Sequence, residues 1–269
     1  MSKKILIGAL LILCCSLAHA HTWKPLAEGL SYTHIQRAHV FQIDPKKYNL
    51  SIATAQDIGK SSATVKEMVK KNGAWLAVNG GFFSYEPKSV GLLMRKEKII
   101  NPLHSTSWWG IFYLENGIAK ITTPQEFHRT AGKVMPSSQR EREGEAPVAL
   151  PLEGATRAPK IEMAVQAGPR LVIQGEIPKL KAALDRRTGI GIRRDGHIFL
   201  AVVLDEISTT DFAELFSKPE KEGGLGCNNA LNLDGGSSTQ LYFNNGGNFS
   251  LDLPGINWVT NAVTISPRY

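Results

Sequence analysis

The chain has almost no cysteine. Three of its 269 residues are Cys, and Cys14 and Cys15 fall in an N-terminal leader, which leaves Cys227 alone and excludes an intramolecular disulfide framework downstream. Long apolar runs are equally scarce. The one run, Ile5 to Leu17, follows Lys3 and Lys4 and ends at Ala18-His19-Ala20, the small-x-small pattern of signal peptidase cleavage. At roughly 13 residues it is short of the ~20 that a membrane span needs. The expectation is a signal peptide over 1–20 and one domain over 21–269, periplasmic or secreted from a bacterium, with no transmembrane segment once the leader is removed. Leu13 before Cys14 argues against a lipoprotein, whose acylation motif wants a small residue there.

The seven histidines show no metal-ligand spacing and the thiol ligands are missing, so a zinc centre is not indicated, and His104 and His197 read as core or surface residues. There is no P-loop, and no nucleophile elbow surrounds Ser237 or Ser238. A strong charge of one sign is lacking as well. Loss of Lys3 and Lys4 lowers the formal charge from +7 to about +5, which permits a polyanionic partner without indicating one and gives no footprint for nucleic acid. A mature chain of this length buries enough core to stand without disulfides.

What is present is a succession of short strands. Alternation in His39 to Ile43 and Leu50 to Thr54, with Asp44-Pro45 between, predicts an antiparallel pair. Ser62 is placed as the cap of a helix carrying Val65, Met68 and Val69 and ending at Asn72-Gly73. Further strands are expected at 74–78, 91–94, 110–114, 117–121, 163–166, 190–192, 198–204, 231–233, 240–243 and 262–266. A second helix, Thr210 to Ser217, is expected with Thr209 or Thr210 as cap. The segment 137–160, with Arg140-Glu141-Arg142-Glu143 and prolines 147, 151 and 159, has no apolar period and reads as a mobile surface loop. The class is α+β, a single domain with a mixed or mainly antiparallel sheet core and a few flanking helices.

Four segments repeat one design, an apolar strand that stops abruptly in glycine and polar residues: Asn79-Gly80-Gly81-Phe82-Phe83, Ala167-Gly168-Pro169-Arg170, Asp205-Glu206, and Asn232-Leu233-Asp234-Gly235-Gly236-Ser237-Ser238-Thr239. Strand ends hold side chains accurately, and glycines let a ligand approach the backbone. Asp234-Gly235-Gly236 reads either as a hairpin turn between 231–233 and 240–243 or, with its following hydroxyls, as an anion-binding nest of amides. Arg187, ahead of Thr188-Gly189-Ile190-Gly191, is placed to reach inward to a phosphate or carboxylate because the glycines strip away cover. Phe82-Phe83 and Trp108-Trp109 read as core packing or as sugar-stacking faces.

Taken together, Asn79-Gly80-Gly81-Phe82-Phe83, Ala167-Gly168-Pro169-Arg170-Leu171, Arg187-Thr188-Gly189-Ile190-Gly191 and Asn232 to Thr239 resemble the phosphodiester glycosidase family, over about residues 35 to 266. Ser237 and Gly189 depart from a third glycine and an alanine in that pattern, and Asp205-Glu206 stands where an Asp-Gly is expected. The resemblance implies an exported hydrolase that cleaves the C1–phosphate bond of a sugar-1-phosphodiester. Asp234 is then the base or nucleophile with Asp205 or Glu206 as partner. Substrate and phosphate contacts are assigned to Asn79, Gly80, Gly81, Phe82, Gly168, Arg170, Arg187, Thr188, Asn232, Gly235, Gly236, Ser237, Ser238 and Thr239. The implied partner is a sugar phosphodiester or cell-envelope glycan. No cofactor is required, and an oxygen-ligated divalent ion on Asp234 and Asp205 stays open. Two alternatives are a non-catalytic polysaccharide-binding protein and a phosphodiesterase that cuts phosphorus–oxygen bonds.

Overall fold

The computed structural model describes residues 22–131 and 160–268. The leader and, apart from Lys160, the 137–160 loop lie outside the described residues.

Three antiparallel sheets enclose one core. The first has seven strands in the order β1 (Lys24–Ala27), β2 (Leu30–Ile35), β3 (Ala38–Ile43), β13 (Ile198–Ser208), β12 (Leu184–Arg193), β14 (Cys227–Asn232) and β11 (Arg170–Val172). The second runs β7 (Lys98–Asn101), β6 (Leu93–Arg95), β10 (Ile161–Ala167), β8 (Gly110–Glu115), β9 (Ile118–Thr122). The third runs β16 (Ser250–Leu253), β15 (Leu241–Asn244), β5 (Leu76–Asn79), β17 (Asn261–Pro267), β4 (Tyr48–Thr54). Leu30, Phe41 and Ile198 from the first, Leu93, Phe112 and Met163 from the second, and Ile52, Val78 and Val263 from the third pack into a single buried cluster. Its apolar area, removed from water, is the main stabilising term.

The expected pairing of 39–43 with 50–54 is not formed. β3 lies between β2 and β13, and β4 pairs with β17, because the Asp44-Pro45 corner, tied by Asp44 N–H to Gly29 O, carries the chain from one sheet to another. Both strands alternate, but each finds its partner elsewhere. The hairpin at Glu115-Asn116 does form, with Asn116 and Gly117 at positive φ as a two-residue turn of that hand requires.

Among the described residues, three α-helices cover the outer faces. The first, α1 (Val65–Asn72), is capped by Thr64 rather than Ser62: the Thr64 hydroxyl accepts from Glu67 N–H while the Glu67 carboxylate accepts from Thr64 N–H, a reciprocal pair that Ser62 is too far upstream to make. It lays Val65, Met68 and Val69 on Ala77 and Ala262. α2 (Pro124–Ala131) was not expected, although Thr123-Pro124-Gln125-Glu126 carries the same cap with Pro at the first helical position. α3 (Thr209–Ser217) is capped by Ser208, whose hydroxyl accepts from Asp211 N–H. Phe212 and Phe216 of α3 press onto β12 so closely that a methyl group at Gly189 would lie 2.9 Å from both rings, and one at Gly191 would lie 2.6 Å from Phe216. These glycines therefore make room for the helix. They do not open a path to Arg187.

Candidate active site

Asp234-Gly235-Gly236 is no hairpin turn, for β14 before it and β15 after it belong to different sheets. The loop is where the first and third sheets are stitched together. Asn232 N–H donates to Pro169 O (2.9 Å), Leu233 N–H to Thr188 O (2.8 Å) and Asp234 N–H to Gly80 O (2.9 Å), so segment 232–239 touches segments 79–81, 168–170 and 187–188 through backbone bonds alone.

Side chains complete the frame. Asn79, fully buried at the end of β5, donates from Nδ2 to Asp234 O (2.6 Å) and accepts at Oδ1 from the Thr188 hydroxyl (2.7 Å) and Gln240 N–H (3.1 Å). Its side chain ties the Asp234 loop to Thr188 and Gln240, which makes it a positioning residue. Asn232 Nδ2 donates to Gly168 O (3.1 Å) and Leu233 O. Asn261, which sequence patterning did not flag, does for Gly81 what Asn79 does for Asp234: Oδ1 accepts Gly81 N–H (2.7 Å) and Nδ2 donates to Gly81 O and the Ser89 hydroxyl. Ser237 is held from outside by Asn257, whose Nδ2 donates to its hydroxyl and whose N–H donates to its carbonyl. The Gly236 and Ser237 amides, at the start of the short 3-10 turn 236–238, have no hydrogen-bond partner among the described residues.

The electrostatics single out Asp234. Burial raises its carboxyl to about 6, against smaller downward pulls from the Ser238 hydroxyl and Gly235 N–H, and the charge of Asp185 adds to the rise. Arg187 is buried, 8% exposed, and its Nη2 donates to Ala183 O (2.5 Å) and the Thr209 hydroxyl (2.8 Å). Its Nε is buried without a partner, and no carboxylate stands within ion-pair distance of its guanidinium among the described residues. Burial lowers its pKa and the negative charge of Asp185 opposes that. Buried side-chain polar atoms without partners are uncommon in folded proteins, and Asn232 Oδ1, Thr239 Oγ1 and Trp109 Nε1 are three more around the same loop.

The other expected residues separate into two groups. Phe82, Trp108, Trp109 and His104 form one aromatic cluster, with Phe82 and His104 each 4.9 Å from Trp109 and the exposed Trp108 edge-on to it at 5.5 Å. Its link to the loop is Gly168, where a methyl group would lie 3.0 Å from Trp109. Arg170, by contrast, lays its stem against Gly110 and its charge acts on Glu126 of α2. Asp205 and Glu206 stand exposed in a bulge of β13, with no hydrogen bond to the loop among the described residues. The carboxylate whose charge reaches Asp234 is Asp185, which the sequence pattern did not reveal because it lies two residues outside the Arg187-Thr188-Gly189 motif.

The family model for phosphodiester glycosidases matches residues 72–266, a span that contains every part of this loop and its supports. The chain belongs to the phosphodiester glycosidase family. No match is found among curated protein sequences. Among solved structures, a hypothetical protein from Synechocystis superposes with a TM-score of 0.54 at 15% identity, over 92% of this chain and 61% of that one. This chain thus spans less than two thirds of the Synechocystis protein. The catalytic domain of zebrafish N-acetylglucosamine-1-phosphodiester alpha-N-acetylglucosaminidase, auto-inhibited by its pro-peptide, matches with a TM-score of 0.57 at 14% identity, over 89% of this chain and 78% of that one. A protein of Burkholderia pseudomallei matches at 0.50 and 14%, over 88% of this chain and 74% of that one. At these identities the likeness is one of fold. No helix among the described residues is long and apolar enough to cross a membrane, and no group of three or more His, Cys, Asp or Glu is gathered among them for a metal.

Proposed function

We propose that this phosphodiester glycosidase is an exported hydrolase that breaks the bond between a sugar C1 and a phosphate oxygen, releasing free sugar and a phosphomonoester. The observation that carries the reading is the coincidence, at one loop, of a proton-holding carboxyl and unpartnered amides, with a buried guanidinium that keeps an unspent donor on the residue next to the loop's Thr188 contact. Each suits one part of that reaction. A departing phosphomonoester has a second pKa of ~6, so it leaves near neutral pH with little help and the site must chiefly stabilise its charge. The Gly236 and Ser237 amides and the Arg187 cation supply positive potential where that charge develops. Asp234, at about 6, is matched to exchange a proton with such a group. The periplasm or exterior and a cell-envelope glycan phosphodiester follow from the leader and from the substrate class.

A panel of sugar-1-phosphodiesters offered to the mature protein in oxygen-18 water tests this. Label in the released sugar is the expected result. Label in the phosphate means phosphorus–oxygen cleavage, and binding with no product from any member of the panel leaves a glycan-binding protein; either overturns the reading.

A further inference from the structure

At its N-terminal end β12 falls out of register with β13. Asp185 pairs with Ile207 and Arg187 with Val203, so Leu204, Asp205 and Glu206 together stand opposite the single residue Arg186. The extra residues bulge outward and carry Asp205 and Glu206 into solvent. On the other strand the same irregularity sets Asp185 over the 234–236 loop. Gly235 meets the Arg186 carbonyl, where a methyl group would lie 2.7 Å away. Gly236 meets the Asp185 carboxylate, where a methyl group would lie 3.1 Å from both oxygens. Gly236 is also at φ +59°, a conformation that other residues adopt only with strain.

The Asp185 carboxylate is otherwise unspent. Among the described residues it accepts only from the N–H of its own neighbour Arg186, and no cation lies within ion-pair distance. Arg187 gives its guanidinium hydrogen bonds to Ala183 and Thr209 and forms no ion pair with Asp185. The groups that face Asp234 from β5 and from its own loop, namely Gly80 O, the Asn79 amide, Gly235 N–H and Ser238, are neutral, and Asp185 is the charge from β12 that acts on it. Two carboxyl groups in unlike settings thus share one loop, one partly buried and one open to water. Acid and base roles divide along such differences of environment.

We propose that Asp185 is the second carboxylate of the site, taking the proton of the attacking water while Asp234 gives a proton to the phosphate oxygen that leaves C1. The inference rests on the glycosidase reading above. The water oxygen bonds to C1 and its proton passes to Asp185. The C1–oxygen electron pair goes to the phosphate oxygen, which takes the proton of Asp234, and solvent returns a proton from Asp185 to Asp234. The products are a sugar hydroxyl and a phosphomonoester.

The test uses the full mature chain and Asp185→Asn, which keeps the bond from Arg186 N–H, with Asp185→Glu as a second variant and circular dichroism to check folding. The first readout is the carbon-13 titration of the Asp234 carboxyl without substrate: its midpoint falls in Asp185→Asn and stays near wild type in Asp185→Glu. The second is turnover of a cleaved sugar-1-phosphodiester: kcat falls about 100-fold or more in Asp185→Asn with KM little changed, and azide, which needs no base, restores turnover with a glycosyl azide as product. The proposal stands only if both shifts occur. An unmoved Asp234 midpoint, or a kcat within twofold of wild type, overturns it. A wild-type protein that cleaves no sugar phosphodiester is the separate failure of the glycosidase reading.

Discussion

The two ends of β5 make opposite kinds of surface. Its start opens onto a groove of about 970 Å³ lined by Asn49 to Ile52, Ala74, Arg95 to Ile100, Lys160, Thr264 and Ser266. Its end, at Asn79, holds the Asp234 loop. The groove is wide and rich in cations, yet its principal charge is spent: Arg95 donates from Nη1 and Nη2 to the two oxygens of Asp57 (2.5 and 2.9 Å) and to Ile52 O, and Lys160 stands 3.5 Å from Glu97. At the loop the cation is deeper and has no carboxylate beside it. The contrast teaches that volume and charge are poor guides to a site. Buried polar groups whose partners are missing are better ones, since folding leaves them so at a cost of about 1–3 kcal/mol each unless a ligand completes them.

The largest expected effect that sharpens this contrast is at Asp234. Asp234→Asn should lower turnover by about 10²–10⁴-fold. It should also stabilise the fold at pH 7. A carboxyl raised to about 6 binds a proton in the folded state that the unfolded chain has released, so its stability contribution falls as pH rises from about 4 to about 6. The ionised form then costs about 3 kcal/mol, an upper figure for a partly exposed group. Thermal midpoints should therefore favour Asp234→Asn at pH 7 and converge with wild type near pH 4. A large loss of stability at pH 7 would return Asp234 to a purely structural part.

Arg187→Lys comes next. A lysine side chain is one bond shorter, so its ammonium falls short of Ala183 O and the Thr209 hydroxyl, and a loss of about 2 kcal/mol in a denaturant titration is expected, together with a raised KM for the phosphodiester. Unchanged kcat and KM would remove Arg187 from the site. At the groove end, Arg95→Met should cost about 1–2 kcal/mol by breaking the fork on Asp57 and leave turnover untouched. Because Arg95 holds the Asp57 carboxyl below its usual range, that contribution is present above about pH 4 and fades as pH falls through the lowered value, so the variant and wild type should converge in acid. If Arg95→Met abolishes turnover, the contrast between the two ends of β5 is wrong. The smallest effect belongs to Asp205→Asn with Glu206→Gln. Both are exposed on the bulge, and turnover within twofold and stability within about 0.5 kcal/mol are expected.

Local pattern carried much of the architecture. Alternation and turn residues located twelve of the seventeen described strands and missed β1, β2, β7, β11 and β16, and the α+β class followed. Patterning did not assign partners, because β3 and β4 have equal claim to each other and to β13 and β17, and the choice is made by the shared core. It also left α2 unread, although the cap at Thr123 was legible.

For the site, Asn79, Asn232 and Asp234 announced themselves by polar chemistry at the ends of apolar strands and Thr188 by the Arg187-Thr188-Gly189 motif, and they do meet. What each one does was decided in three dimensions. Asn79 became a strut because three groups from distant segments bond to it. Gly189 and Gly191 became seats for α3. Asp185 gained its place over Gly236 because a bulge in another strand turned it there. Sequence by itself determined where strands stop and which side chains stand at their ends, since those depend on neighbours in the chain. Tertiary structure alone decided which charges face one another, since that depends on register between strands that are far apart in sequence.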